Sequence, residues 1–289
     1  MSKNILIGIG VVAVLVIVGA VAYILRPPAE ASEPIEAISV NVDDMDAEEK
    51  TADTDQQVST QVTEEMPMTD EQVENAADAD DPVSVQATDV NVQEKGETPV
   101  AEQEALGSVP DGIVVFSIVQ AESEVRFTLG ELLSGVPTTV VGATDQVAGE
   151  IAVDPKNPAS TKVGVIQVNA RTLATDNDFR NRAINNSILE TGMYEYVTFA
   201  PTEIANFPED PSIGEELAFQ ISGDLTVRDF SNPVTFDVVV TAVSENRLEG
   251  SASATIARAD YGLKIPEVPR VADVDEEVLL EIDFVAIAK

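Results

Sequence analysis

Four arginines, Arg180, Arg182, Arg228 and Arg258, and a large surplus of carboxylates are the side chains with which this chain could do chemistry. A guanidinium can grip a phosphate through two parallel hydrogen bonds, but in so acidic a chain it more often pairs with a nearby acid. Arg258 with Asp260, and Arg228 with Asp224 or Asp229, are the local candidates. Two carboxylates about 5–10 Å apart across a cleft could hydrolyse a glycoside, yet acids are too plentiful for spacing to nominate a pair. The chain has no His and no Cys. That removes His-based triads, thiolate nucleophiles, disulfides and most zinc sites. No catalytic residue, metal site or cofactor is nominated. A net charge of −36 repels nucleic acid and anionic headgroups, so no nucleic-acid partner is expected.

The elements that must position these side chains fall into three segments. Residues 1–26 contain an unbroken apolar run, Ile5 to Leu25, between Lys3 and Arg26. Its length matches one bilayer core and exceeds the apolar region of most secretory signals. A retained single-pass anchor is expected, with the remainder outside the cytoplasm. Cleavage at Val18-Gly19-Ala20 or Ala29-Glu30-Ala31 is the alternative. Residues 27–110 are acidic, lack aromatics and carry only Lys50 and Lys95 as bases. Too little apolar surface offsets the ordering entropy there, so a disordered linker is expected. Short Val-rich patches such as Ser39-Val40-Asn41-Val42 interrupt it. It would serve as a spacer or as an unselective solvated linker.

From residue 111 to residue 289 the pattern alternates with period 2. Val125, Phe127 and Leu129 form one apolar set; Leu217, Phe219, Ile221, Leu225 and Val227 form another. Val234, Phe236, Val238 and Val240 follow, then Leu248, Ala252, Ala254 and Ile256, and last Val278, Leu280, Ile282 and Phe284. Polar turns such as Asp145-Gln146 and Ser244-Glu245-Asn246 join such runs. The pattern predicts an antiparallel all-β domain, and periodicity leaves sandwich and barrel both open.

Several segments occur in the order seen in one family. They are Ser123-Glu124-Val125-Arg126-Phe127, Gly149-Glu150-Ile151-Ala152-Val153-Asp154-Pro155, and the stretch Val163 to Asn169 with Thr172 to Thr175. Phe179-Arg180-Asn181-Arg182, Leu189-Glu190-Thr191, Tyr194 to Phe199, Gly223 to Val238, and Ile256 to Leu263 with its Arg-x-Asp-aromatic-Gly complete the set. Over roughly Ile113 to Ile287 the chain resembles the YceI-like family. It departs from the family's motifs at Asn181, where Asp is common, at Glu195, where Pro follows the tyrosine, and in lacking histidine.

The resemblance implies a lipocalin-like, eight-stranded antiparallel β-barrel with a short helix, holding a polyisoprenoid chain in an apolar tunnel. It implies Phe127, Phe199, Phe219, Phe236 and Ala252 as wall residues, with Tyr261 near a strand end. Arg180 and Arg182 are the candidates to contact a phosphate or quinone head. For each phenylalanine, plain core packing is the competing explanation, and Tyr261 would be buried with its hydroxyl hydrogen-bonded. The function implied is a membrane-tethered, extracytoplasmic, non-enzymatic protein that binds an isoprenoid quinone or polyprenyl lipid. The alternative is a packed barrel without lipid that contacts another envelope protein or a second copy of itself.

Overall fold

Alternating apolar residues make strands here because one face of each is buried and the other solvated, so neighbours pair with their apolar faces in register. The computed structural model describes residues 26–32, 34–42, 45, 112–208 and 210–289. The expected membrane-spanning run at 5–25 and the expected linker over 46–110 lie outside them. Among the described residues no helix is long and apolar enough to cross a membrane.

The strands are β1 (Val114–Ile118), β2 (Glu124–Leu133), β3 (Val136–Thr144), β4 (Val147–Ala148), β5 (Glu150–Val153), β6 (Lys162–Val163) and β7 (Ile166–Asn169). A short helix α1 (Asp178–Ala183) runs on into a π-helical turn, Ile184–Ile188. Then come β8 (Tyr196–Ala205), β9 (Glu216–Val227), β10 (Phe230–Ser244), β11 (Arg247–Ala257), β12 (Val271–Ala272) and β13 (Glu277–Ala288). Asn177 caps α1, its side-chain oxygen accepting from the Phe179 and Arg180 N–H groups.

All pairings are antiparallel, and β7-β8-β9-β10-β11-β13 are successive neighbours in one curled sheet. Strand β13 divides its second edge. Leu279–Asp283 pair with β2, whereas Ala286–Ala288 pair with β1, which continues the sheet to β5 and β6. Strand β3 pairs with β2, and the chain runs on through the Asp145-Gln146 turn into β4, where Val147 meets Val168 of β7. The result is an all-β, half-barrel-like sheet with one short helix. The β9–β10 hairpin turns at Arg228, a non-glycine residue at φ 60°.

Apolar side chains gather in two clusters at opposite ends of the curl. Phe116, Ile151, Leu248, Phe284 and Ala286 form one; Leu225, Val227, Ile256, Tyr261 and Val278 form the other.

The first part of the expected linker is described, and it lies against the sheet as a strap. Asn186 Nδ2 donates to the Arg26 carbonyl at 2.8 Å, and Arg171 Nη1 to the Glu30 carbonyl at 3.1 Å. Ser32 donates to Glu195 through both its N–H and its hydroxyl, each at 2.8 Å. Val40 N–H reaches Glu150, whose side chain is 3% exposed and also takes the Lys289 ammonium. Val42 and Met45 pack on Ala152 beside Ile113 and Val115. The described chain therefore leaves at Met45 and re-enters at Gly112–Ile113 beside the same apolar patch. A free spacer starting at residue 27 does not fit these contacts. Apolar contact and hydrogen bonds offset the ordering entropy that the composition of residues 27–45 alone does not.

Candidate functional site: an apolar lumen

The inward side chains of the curled sheet leave a cavity of about 1170 Å³ between the two clusters. Its lining runs from the end carrying α1, with Leu133, Phe179 and Val268, to the opposite end, with Phe207, Ile213 and Asn246. Phe127, Phe199, Phe219, Phe236 and Ala252 all line it, as does Arg180. Phe199 meets Phe236 edge-on at 4.9 Å, and Phe207 lies 5.1 Å from Phe219.

Glycines on neighbouring strands explain how large rings line the lumen without filling it. Phe127 is paired with Gly142, and a Cβ at 142 would lie 2.2 Å from Phe127 Cε1. A Cβ at Gly250 would lie 2.9 Å from Phe284 Cζ, and one at Gly223 would lie 2.8 Å from Phe199 Cζ. Each ring thus rests over a neighbouring residue that has no side chain.

Polar lining residues lie mostly toward the two ends: Glu131, Asn177 and Arg180 at the α1 end, and Ser212, Ser244, Glu245 and Asn246 at the other. The Glu131 carboxylate, buried in the wall, accepts from Arg180 Nη2 at 2.8 Å, and Arg180 Nη1 reaches exposed Asp176 at 2.6 Å. Arg180 therefore faces the lumen already paired with acids. Arg258 also lines it, bonded to Glu276 at 2.9 Å and to the Leu263 carbonyl at 3.3 Å, so its partner is not Asp260. Arg228 pairs with Glu190 at 3.5 Å and donates to the Ile188 carbonyl, rather than meeting Asp224 or Asp229.

Two expected site residues are not among the lining. The Arg182 guanidinium sits over the Phe179 ring at 5.7 Å. Tyr261 is 1% exposed within the α1-end cluster, and its hydroxyl has no protein hydrogen-bond partner, against expectation. Burial, with Asp260 as the second cause, pushes that hydroxyl's pKa up to about 12. Tyr261→Phe is expected to raise stability by about 1 kcal/mol, because it removes an unsatisfied polar atom and keeps the ring. A melting-temperature rise of about 2–4 °C checks this; a fall would mean that the hydroxyl has a partner.

Sequence reasoning missed Glu131, Asn177, Phe179 and Phe207 as lining residues. Glu131 and Asn177 are polar residues in a wall sought by its apolar pattern. Phe207 lies past the end of β8, where no period-2 signal exists. Among the described residues no group of three or more acids could hold a metal ion.

A family model described as the YceI-like domain matches residues 116–286. The UPF0312 protein of Shewanella sp. (strain ANA-3) is 26% identical over 148 residues, covering 49% of this chain and 73% of that protein. A UPF0312 protein of Staphylococcus aureus (strain bovine RF122) is 28% identical over 156 residues, covering 51% and 81%. Among solved structures, a polyisoprenoid binding domain from Saccharophagus degradans superposes with a TM-score of 0.48 at 16% identity. It covers 60% of this chain and 98% of that one. Burkholderia cenocepacia BcnA gives 0.45 at 19% identity, covering 58% and 98%. With the family model spanning the curled sheet from β1 to β13, the chain belongs to the YceI-like family.

Proposed function

We propose that this protein binds one isoprenoid lipid, a quinone or polyprenyl compound, in the lumen of an eight-stranded barrel. An N-terminal anchor would tether it to a membrane with the barrel outside the cytoplasm. The observation that carries the reading is the lumen itself: about 1170 Å³, walled chiefly by aromatic and aliphatic side chains, with its polar groups mostly toward the two ends. Family membership supports the ligand class. Burying an apolar chain gains about 0.8 kcal/mol per methylene, less the cost of ordering it. No step of bond chemistry is needed. A head group would lie by Glu131, Arg180 and Asn177, where the tail's apolar wall gives way to hydrogen-bonding groups. A lipid-free interaction module is the second reading, and the open lumen favours it less because such a barrel gains by filling its core.

The test is mass spectrometry of an organic extract from the natively purified full chain, made in a host that produces quinones and polyprenols. A stoichiometric isoprenoid is expected. Ala252→Trp should cut recovery at least about tenfold, since an indole added to the wall at Ala252 occupies the path of the chain. A wild-type protein that is empty and takes up no added quinone or polyprenol would sink the reading.

A further inference from the structure

The strap begins at the α1 end of the lumen. Arg26 directly follows the apolar run Ile5 to Leu25, and its carbonyl is held by Asn186 in the π-helical turn. The Arg26 guanidinium lies beside Gly192, and a Cβ there would be 3.7 Å from Nη2. Ile184 and Ile188 of the same turn line the lumen, and Phe179 of α1 stands about 10 Å away along the helix. From Arg26 through Glu30 to Ser32 the chain is bonded to Arg171, Asn186 and Glu195. Little free chain remains between the end of the apolar run and this end of the sheet.

The same end presents apolar side chains to the outside. Phe179 is 68% exposed, Met193 75% and Val136 61%, and Leu133 and Val268 join them around the opening. Such a rim matches the interfacial layer of a bilayer, where apolar side chains enter among the acyl chains. Electrostatics contributes little, because acids offset the bases: Arg180 is paired with Asp176 and Glu131, Arg228 with Glu190 and Arg258 with Glu276.

We infer that the strap holds the barrel on the bilayer with the α1 end of the lumen opening onto the membrane surface. An apolar chain then passes between bilayer and lumen without crossing water. The inference rests on the membrane-anchor reading above, and its occupant is the lipid bilayer itself.

The chain has no Trp, so an introduced one reports alone. Phe179→Trp marks the rim, and Ile213→Trp, at an exposed site of the opposite end, is the control. The full chain carrying either variant is placed in phosphatidylcholine vesicles with bromine-labelled acyl chains. Quenching at position 179 should exceed that at 213 by about twofold or more and should persist at high salt, as apolar contact requires. Arg171→Met in the Phe179→Trp background should abolish the difference while the protein still floats with the vesicles. Equal quenching at both positions in floating protein overturns the inference and leaves the anchor reading standing. Undiminished quenching after Arg171→Met overturns the role of the strap. Protein that does not float at all overturns the anchor reading and this inference together.

Discussion

Gly223→Ala is expected to cost the domain about 3 kcal/mol, and Gly142→Ala to cost little stability but most of the lipid binding. The two positions differ in what the added methyl would strike. At 223 a Cβ would lie 2.4 Å from the Ala200 carbonyl oxygen and 2.8 Å from Pro201 Cα, both backbone atoms of β8. The register between β8 and β9 shifts there, between Pro201 and Glu203, so the strands approach closely at a point where proline supplies no N–H. Only separation of the strands relieves the clash. At 142 the obstacle is the Phe127 ring, which can swing off the wall, and the direction open to it is the lumen. Thermal unfolding of Gly223→Ala should show a loss of about 6–12 °C. Gly142→Ala should melt near the wild type yet retain little extractable lipid, and adding Phe127→Leu should restore binding. A Gly142→Ala variant with full lipid occupancy would show that Phe127 has room elsewhere.

The strands that the sequence announces are those with one solvated face. β2, β9, β10, β11 and β13 are each ten or more residues long and carry the alternating sets, from which Phe127, Phe219, Phe236, Ala252 and Phe284 turn inward. β4 and β6 are two residues each, too short for any period to register. An open wall and a packed core need the same inward apolar set, so alternation could not decide whether Phe199 met a ligand or another side chain. The deciding features are pairings between distant residues, Phe127 over Gly142 and Phe284 over Gly250. The arginines were harder still. Proximity in sequence points Arg228 and Arg258 to local acids, whereas the folded backbone delivers Glu190 and Glu276.

The strap was the least legible element, although its parts were visible. Val40 and Val42 stood out as a Val-rich patch, but nothing local told that Ala152 and Ile113 would cover them. Glu195 stood out as the replacement of the family's proline. In the folded chain it is the group that receives Ser32, which ties a departure in one residue to the docking of a segment far away in sequence. Composition argued for disorder over residues 27–45 because it counts apolar residues without regard to a preformed surface awaiting them.

Arg171→Met is expected to weaken the strap by about 3 kcal/mol, because it leaves a mostly buried carboxylate without its cation. Arg171 Nη1 lies 2.7 Å from Glu195 Oε2, and Asn169 Nδ2 donates to Oε1 at 3.1 Å. Burial alone would raise the Glu195 pKa. The two Ser32 hydrogen bonds, the Arg171 charge and the Asn169 amide together outweigh it, so the carboxyl sits below its ordinary value of 4.5. A carboxyl depressed in the folded state contributes stability that is complete above its unfolded value and lost as pH falls through the folded one. The strap should therefore be firm at neutral pH and loosen only below about pH 4.5. Hydrogen exchange over residues 34–42 is the measurement. In Arg171→Met exchange should rise about 150-fold at neutral pH, the factor that corresponds to about 3 kcal/mol. Ser32→Ala should give a smaller rise and shift the acid transition upward, since it removes only the hydroxyl's bond to Glu195 and keeps the Ser32 N–H. Equal protection in wild type and Arg171→Met would show that Val42 and Met45, packed on Ala152, hold the strap without the ion pair.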